Sequence, residues 1–428
     1  MTEQSLVIVA VGVVMLAHLA IGVPLFVVLG LGALALILTL DVYSVSVFGE
    51  VPFGALDSWA LLAMPLFILA GEIISRGRTA QDLVALGEAA IGWVRGGLGM
   101  ATIFGCFLFA GTSGSSSADT ITIGRIMIPA MEKRGYLRSY AASLAAAGGI
   151  LGVIVPPSLI FIIYGVATGT SIGDLFLAGV LPALVLAAAM CLANFLVCTL
   201  TDWGRPEAGA FRLRTLGRAV WQAKFGLGAP VIILGGIYSG LFTPTEAAAV
   251  AVGYVVVVEV AINRALGLRD LVDALCNAAI VTGVLGPIIA FSILFGETLA
   301  ILRVPSDIVT HVTGLAIGVE MTVLMIVLVL LLVGCILEPI AAILVVMPVL
   351  LPIGQALGFD DVHFGVFVVC ALSVGFITPP VGINLFAASA VSGTPFLKIA
   401  HRALPAFVAL IGAILVIAAA PGLTLWFR

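Results

Sequence analysis

Residues 98–131 read LGMATIFGCFLFAGTSGSSSADTITIGRIMIPAM, an apolar stretch with a polar centre at 111–119. Six of those nine central residues carry a hydroxyl or a carboxylate. Such groups are costly when they face lipid, and small residues let the backbone turn sharply. The pattern predicts two half-length helices folded into a re-entrant hairpin. A second apolar stretch, 321–353, is broken at Glu338 and Pro339 and predicts a second hairpin.

The composition of the chain is typical of a polytopic membrane protein. Of its 428 residues, 62% are hydrophobic and 9% are charged, whereas a soluble domain carries roughly 25% charged residues. The net charge of −4 and the lack of a basic tract exclude a nucleic-acid partner. The three lysines of the chain leave no GxxxxGK[ST] phosphate loop, so no bound nucleotide is predicted. The six cysteines and four histidines have no metal-binding spacing.

Apolar runs of roughly 20 residues predict membrane-spanning helices. Two of these spans, 139–171 and 364–392, are interrupted by the pairs Pro156-Pro157 and Pro379-Pro380. Proline removes a backbone donor and frees the carbonyl four residues earlier, so each pair favours a broken helix with carbonyls available to a cation. A structural kink is the alternative. The other predicted spans are 5–21, 24–40, 59–75, 175–200, 225–241, 244–262, 275–297 and 404–426.

Landmarks of the first half recur in the same order in the second half. Each repeat contains five crossings, an odd number, so the second copy is expected to be inverted. The sequence therefore predicts an all-α polytopic membrane protein of two inverted five-span repeats, each with a re-entrant hairpin and a broken helix. The matched landmarks, at offsets of 219 to 225, are Pro24 and Pro244, Glu72 and Glu297, Asp82 and Asp307, Asp119 and Glu338, Pro129 and Pro348, and Pro156 and Pro379.

Loop charges predict the orientation, because Lys and Arg are retained on the cytoplasmic side. Six basic residues flank the first hairpin and five lie in the linker 202–224, so both regions are predicted to be cytoplasmic. The loop 41–58 holds three acidic residues and no basic one, and it is predicted to lie outside. Both termini then face the outside as well.

Paired hairpins and broken helices in inverted repeats are the layout of secondary transporters, which bind solute and ions near the midplane. At the first tip, hydroxyls and free carbonyls suit a hard cation such as Na⁺, and the following helix offers its N-terminal N–H groups to an anion. Helix packing by small residues is the alternative. Glu338, at the second tip, either caps a helix or shapes the substrate site.

Seven short motifs are distributed along the chain: GTSGSSSAD at 111–119, IPAM at 128–131, KRGY at 133–136, PPS at 156–158, GVLP at 179–182, FTPTEAA at 242–248 and TPPVG at 378–382. Together they resemble the large membrane subunit of TRAP transporters, the tripartite ATP-independent periplasmic systems of bacteria. The resemblance covers essentially the whole chain. It implies an elevator mechanism, in which a domain with both hairpins slides against a scaffold, driven by a Na⁺ gradient. It also implies a multi-pass protein of the bacterial inner membrane, with both termini periplasmic.

This resemblance divides the chain into predicted parts. Residues 76–97 and 303–320 are interfacial arms, since 79–94 is amphipathic and 306–315 is its counterpart, opened by Ser306 as a helix cap. Glu72 and Glu297 precede the arms and favour anchoring at the interface over ion binding. The other parts are scaffold helices at 1–75, a transport-domain hairpin and broken helix at 98–171, a scaffold span and cytoplasmic linker at 172–224, scaffold helices at 225–302, a second hairpin and broken helix at 321–395, and a last span at 396–428.

The resemblance also implies the site residues. The first Na⁺ site would use Ser113, Ser115, Gly152, Val155 and Pro157. The second would use Gly334, Gly375, Thr378 and Val381. The expected substrate-binding residues are Ser115, Ser116, Asp119, Glu338 and Asn384. Thr112, Ser117 and Glu338 depart from the common family pattern, which leaves the identity of the substrate open.

The implied partners are a small four-helix membrane subunit, expected as a separate chain because no spans precede residue 5, and a periplasmic solute-binding protein that delivers a carboxylate substrate. Membrane lipid surrounds the helices. A stand-alone Na⁺/anion symporter without a binding protein is the first alternative. The remote alternative is an intramembrane enzyme using Ser113–Ser117 with Asp119, which is disfavoured because no His or Lys lies in the motif to activate a serine.

The predicted topology can be tested by labelling single cysteines in a background without native ones. A cysteine placed within 355–363 is expected to react with an impermeant reagent from outside, and one within 205–218 only from inside. Reaction of both from the same face would contradict the inverted repeat.

Overall fold

The computed structural model describes residues 3–201, 203–204, 211–314 and 317–428. Within these ranges the chain is built from helices without any β-strand, and eight of the helices are long and apolar enough to cross a membrane. The predicted all-α membrane protein is thereby confirmed. Asp202, Arg205 and Glu207, which contribute to the charge of the predicted linker, lie outside the described residues.

The described residues 3–200 form ten α-helices. They are α1 (Glu3–Ala20), α2 (Leu25–Leu40), α3 (Val47–Leu56), α4 (Ala63–Arg76, preceded by the 3₁₀ turn Trp59–Leu62), α5 (Thr79–Ile91), α6 (Gly97–Ser113), α7 (Ser116–Lys133), α8 (Arg138–Gly149, followed by the 3₁₀ turn Ile150–Val153), α9 (Leu159–Thr168) and α10 (Ile172–Leu200). Helix α5 covers most of the first predicted arm.

The second half repeats the order of α4–α10 in α13–α19: a long helix, a short one, a helical pair, a broken helix and a last helix. The helices are α11 (Leu213–Tyr238), α12 (Pro244–Val256, continued as the π-helix Val257–Ile262), α13 (Leu268–Ile301), α14 (Val304–Gly314), α15 (Gly318–Ile336), α16 (Pro339–Ala356), α17 (Asp361–Gly375), α18 (Ile383–Ser392) and α19 (Phe396–Ala419).

Helical pairs are present at both predicted hairpins, as α6–α7 and α15–α16, but their helices are not half-length, and their re-entrant course stays a prediction. They contain 17 to 19 residues each. At 1.5 Å per residue this is about 25–29 Å, close to the hydrocarbon thickness of a bilayer. The prediction of half-length helices was wrong because the polar tip ends a helix without shortening the apolar runs on either side.

Both predicted helix breaks are confirmed. Helix α8 ends at Gly149, and α9 begins only after the first proline pair, where the Ser158 hydroxyl accepts a hydrogen bond from the backbone N–H of Phe161. Helix α17 ends at Gly375, and α18 begins after the second pair. The missing proline N–H groups end the regular hydrogen-bond ladder at both positions.

Several helix boundaries differ from the sequence prediction. Helix α3 lies inside the predicted loop 41–58, α11 begins within the predicted linker, and α13 extends beyond 275–297 at both ends. Ser306 lies inside α14 and does not cap it. A hydropathy criterion detects only the most apolar part of a helix, so amphipathic ends and short helices escape it.

We call α6–α10 and α15–α19 the hairpin group, and α1–α5 and α11–α14 the outer group. Helix α10 packs against α6, α17 and α19, and we include it in the hairpin group for that reason. The predicted division, which assigned 172–224 to the scaffold, stays a prediction. The groups meet where α4, α5 and α11 contact α6 and where α13 and α14 contact α16.

Within the outer group, the buried carboxylate of Glu259 joins α12 to α5. It accepts hydrogen bonds from the backbone N–H groups of Arg78 and Thr79, each at 3.1 Å, and from the Thr79 hydroxyl. The π-helix of α12 carries Glu259. A carboxylate at a helix N-terminus satisfies donors that lack partners within the helix and is favoured by the helix dipole. Glu259 therefore fixes the start of α5.

Replacing Glu259 by Gln is expected to destabilise the protein by about 1–3 kcal/mol, because an amide NH₂ would face a buried backbone N–H. Thermal unfolding in detergent measures the loss. The exposed Glu50, changed to Gln, is the matched control and should melt like the wild type. An unchanged melting temperature for Glu259→Gln would show that the carboxylate does not hold α5.

Candidate functional site

A cavity of about 930 Å³ lies between the hairpin group and the outer group, and we call it the main cavity. Both hairpin tips line it, with residues 113–118 from the first and 338–340 from the second. Residues of α4 and α13 form the facing wall, and Val153, Leu159, Ile160 and Ile383 of the two breaks complete it. The fold thus brings the two predicted tips, far apart in sequence, to the lining of one cavity.

The first tip turns at Gly114, whose φ of 62° lies in the left-handed region that glycine adopts without strain. Helix α7 then begins at Ser116, with the Ser115 hydroxyl accepting a 3.5 Å hydrogen bond from the Ala118 N–H. Thr112 donates to the carbonyl of Phe109 in its own helix. Ser115, Ser116 and Ser117 therefore present their hydroxyls at the start of a helix.

Asp119 lies behind this tip and is fully buried. Its Oδ1 accepts a hydrogen bond from the Ser113 hydroxyl, and its Oδ2 has no hydrogen-bond partner among the described residues. A Cβ atom on Gly152 would lie 2.6 Å from Asp119 Oδ2 and 2.7 Å from the Ser115 carbonyl oxygen. Oxygen atoms thus converge on a space that any side chain at 152 would fill. We call Ser113, Ser115, Asp119 and Gly152 the Gly152 pocket.

The other two residues predicted for the first Na⁺ site lie in the same helix break. A Cβ atom on Gly114 would be 3.5 Å from the Pro157 carbonyl oxygen, so this carbonyl also faces the tip. Val155 lies between Gly152 and Pro157 and is buried. The structure thus brings the predicted set together and adds a carboxylate to it.

Two of the four residues predicted for the second Na⁺ site, Gly334 and Gly375, are in close contact where α15 and α17 end. A Cβ atom on Gly375 would lie 2.7 Å from the Cα of Gly334. The Thr378 hydroxyl donates to the Val374 carbonyl at 3.1 Å, and Val381 is exposed. Among the described residues, this set contains no buried side-chain oxygen without a partner.

Three of the five predicted substrate-binding residues line the main cavity: Ser115, Ser116 and Glu338. Asp119 and Asn384 are fully buried behind its wall. Asn384 Oδ1 accepts a 2.8 Å hydrogen bond from Ser116, and its Nδ2 donates to the Ala146 carbonyl at 3.0 Å. Asn384 therefore connects α18 to α7 and α8 and orients a serine of the tip.

Glu338 caps α16 and is exposed to the main cavity. Its Oε2 accepts hydrogen bonds from the N–H groups of Ile340 and Ala341, at 3.1 and 3.2 Å. Of the two roles that the sequence left open, the cap is confirmed, while contact with substrate stays a prediction.

The cavity also contains charged residues that the sequence analysis did not assign to it. Glu72 lies on the outer wall, where its Oε2 is 3.4 Å from both Arg76 Nη2 and Asn277 Nδ2. Arg125 of α7 faces this wall. The sequence does single out Arg125 as a candidate site residue, because Arg125 and Asp119 are the only charged residues in the apolar stretch 98–131. The contact of Glu72 with Asn277 could not be predicted from local sequence, because the two residues are 205 positions apart.

Comparison with known proteins identifies the family. A sequence model described as "Tripartite ATP-independent periplasmic transporter, DctM component" matches residues 12–423. An isethionate TRAP transporter permease of Oleidesulfovibrio alaskensis is 36% identical over 96% of this chain, which spans 64% of that protein. The C4-dicarboxylate large permease of Pseudomonas aeruginosa is 36% identical over 93% of this chain and 92% of its own. The sialic acid large permease of Vibrio cholerae is 32% identical over 92% of both chains.

Solved structures show the same fold at low identity. The YdaH transporter of Alcanivorax borkumensis has a TM-score of 0.60 at 14% identity, covering 88% of both chains. Neisseria gonorrhoeae MtrF, described among antimetabolite efflux pumps, has a TM-score of 0.59 at 13% identity, covering 87% of this chain and 82% of its own. The family match over nearly the whole chain agrees with the motifs that form the cavity wall, and this chain therefore belongs to the DctM component family, the large permeases of tripartite ATP-independent periplasmic transporters.

Proposed function

We propose that the protein catalyses Na⁺-coupled secondary uptake of a carboxylate-bearing organic solute across the bacterial inner membrane. The observation that carries this proposal is the Gly152 pocket directly behind a tip that lines the main cavity. Relatives are named for C4-dicarboxylates, sialic acid and 2,3-diketo-L-gulonate, which are organic acids.

Two features of the Gly152 pocket support Na⁺ as the coupling ion. The pocket offers only oxygen atoms, which hard cations prefer, from a carboxylate, a hydroxyl and carbonyls. The buried Asp119 carboxylate also keeps one oxygen without a partner in the part of the chain that the structure describes, and burial of an unpaired charge is costly. A cation held by Ser113, Ser115 and Asp119 offsets that cost. Gly334, Gly375, Thr378 and Val381 are proposed to hold a second ion.

We propose alternating access by an elevator movement of the hairpin group against the outer group. The hairpin tips, the breaks and both proposed ion sites all belong to the hairpin group, so they could move as one unit. Close backbone approach supports a sliding contact: a Cβ atom on Gly71 of α4 would lie 2.9 Å from the Ser113 carbonyl oxygen. The equal element order of α4–α10 and α13–α19 supports the inverted repeat, with both termini periplasmic.

Delivery by a periplasmic binding protein and association with a small four-helix subunit are proposed from the tripartite family. The first alternative remains a Na⁺/anion symporter that works alone, and uptake without a binding protein would favour it. For the enzyme alternative, the lining of the main cavity holds no His or Lys among the described residues, and the described chain has no cluster of metal-binding residues. The site therefore favours transport over catalysis.

Proteoliposomes containing the complete complex provide the test of coupling. Uptake of the transported acid is expected to require an inward Na⁺ gradient, with more than one Na⁺ carried per solute, because we propose two ion sites. Isotope uptake with and without the gradient measures this. Undiminished uptake in Na⁺-free buffer with ATP would overturn the proposal.

Ser113→Ala and Thr378→Ala each remove one hydroxyl from a proposed ion site. Since a hydrogen bond to a charged group contributes about 1.5–3 kcal/mol, we expect the Na⁺ concentration for half-maximal uptake to rise about 10- to 150-fold. Binding of the soluble partner should not change. Ser143→Ala is the control, because this buried serine bonds only the Tyr140 carbonyl of its own helix. Unshifted Na⁺ curves for both variants would mean that the ion sites lie elsewhere.

A further inference from the structure

Arg125 stands apart from the other charged groups of the main cavity. It lies on the face of α7 that lines the cavity, together with Ser117, Ile121 and Thr122, and it is exposed to that space. Within the described ranges it makes no hydrogen bond or ion pair. A cation at membrane depth is costly and usually has a partner or a function.

Nearby arginines, by contrast, are satisfied by the protein. Arg76 pairs with Glu72 across 3.4 Å, Arg95 donates to the carbonyls of Cys198 and Thr201, and Arg138 donates to Glu132 and to the Ser392 carbonyl. The acidic groups of the cavity are also engaged, since Glu72 is paired with Arg76 and Glu338 caps α16. Of the four charged side chains that line the cavity in the described part of the chain, Arg125 is therefore the one without a hydrogen-bond or ion-pair partner in the protein.

The position of Arg125 relative to the tip suits a bound solute. Eight residues separate Ser117 from Arg125, a rise of about 12 Å along the helix. Because helical Cα–Cβ bonds tilt toward the N-terminus, the long arginine side chain leans back toward the tip. The guanidinium and the serine hydroxyls thus flank a space that a small organic molecule can span.

We propose that Arg125 binds the carboxylate of the transported solute and is a specificity-determining residue of the main cavity. The planar guanidinium forms two parallel charge-assisted hydrogen bonds to a carboxylate, which a lysine cannot reproduce. The inference rests on the proposed function, because it assigns the anionic end of that solute to one residue. The hydroxyls of the first tip then face the remainder of the molecule.

Kinetics in proteoliposomes of the complete complex test the role in transport, with succinate, N-acetylneuraminate and gluconate as probes. For each acid that the wild type takes up, Arg125→Gln is expected to raise KM about 10- to 100-fold, and Arg125→Lys less. With the acid at a saturating concentration for each variant, the half-saturating Na⁺ concentration should not change, whereas general damage to the tip would shift it. Lys133→Gln is the matched control, because Lys133 is exposed on the same helix outside the cavity. An unchanged KM for Arg125→Gln would overturn the assignment.

A labelling experiment measures the local charge near Arg125 in the main cavity and does not depend on transport. In the complete complex with Cys276→Ser and Thr122→Cys, the rates of modification by an anionic and by a cationic methanethiosulfonate are compared. Since a local positive charge concentrates anions tenfold or more, Arg125→Gln should lower the anion-to-cation rate ratio about tenfold, and Lys133→Gln should not. An unchanged ratio would overturn the anion site. Failure of the wild type to take up any of the acids would count against the proposed function, and this ratio alone then decides the inference.

Discussion

The unpaired oxygen of Asp119 is the constraint around which the first half of the hairpin group is arranged. The carboxylate is fully buried, and Oδ2 lacks a partner within the described residues. In the proposed site, a cation coordinated by oxygen atoms offsets the cost of burying this carboxylate, and such a cation needs a gap in the facing helix. Gly152, in the break before the proline pair, provides the gap, and the turn at Gly114 brings the Ser115 carbonyl to it. Hairpin and broken helix are thus two parts of one site.

The two halves of the chain place their matched carboxylates differently. Asp119 and Glu338 occupy equivalent landmarks, 219 residues apart. Asp119 is turned inward to the Gly152 pocket, whereas Glu338 caps α16 and is exposed to the main cavity. The second break has no buried carboxylate in its place and offers chiefly backbone oxygens. The proposed roles follow this difference, with an ion at the first tip and contact with the solute at the second.

The features predicted correctly from the sequence are those with a local cause. Serine and glycine inside an apolar run predict the tips, and proline pairs predict the breaks. The arrangements that escaped prediction depend on contacts between distant segments, such as Glu259 with Thr79, 180 residues away, or Asn384 with Ser116. The sequence does not indicate which distant segment the buried side chain of Glu259 or of Asn384 will contact. The lengths of the hairpin helices were not predicted correctly. A polar tip in an apolar run indicates where a helix ends, but it does not indicate how long the helices on either side are.

Ion and solute could influence each other directly, because their proposed sites share helix α7. Six residues separate Asp119 from Arg125, a rise of about 9 Å. At that separation and an effective dielectric constant of about 20, a bound cation and a bound carboxylate attract each other by about 2 kcal/mol. Coupling of this size changes each affinity about 30-fold, and it is reciprocal by thermodynamic necessity. In this proposal Na⁺ and the acid bind the hairpin group together because α7 fixes their distance, before any movement of the elevator.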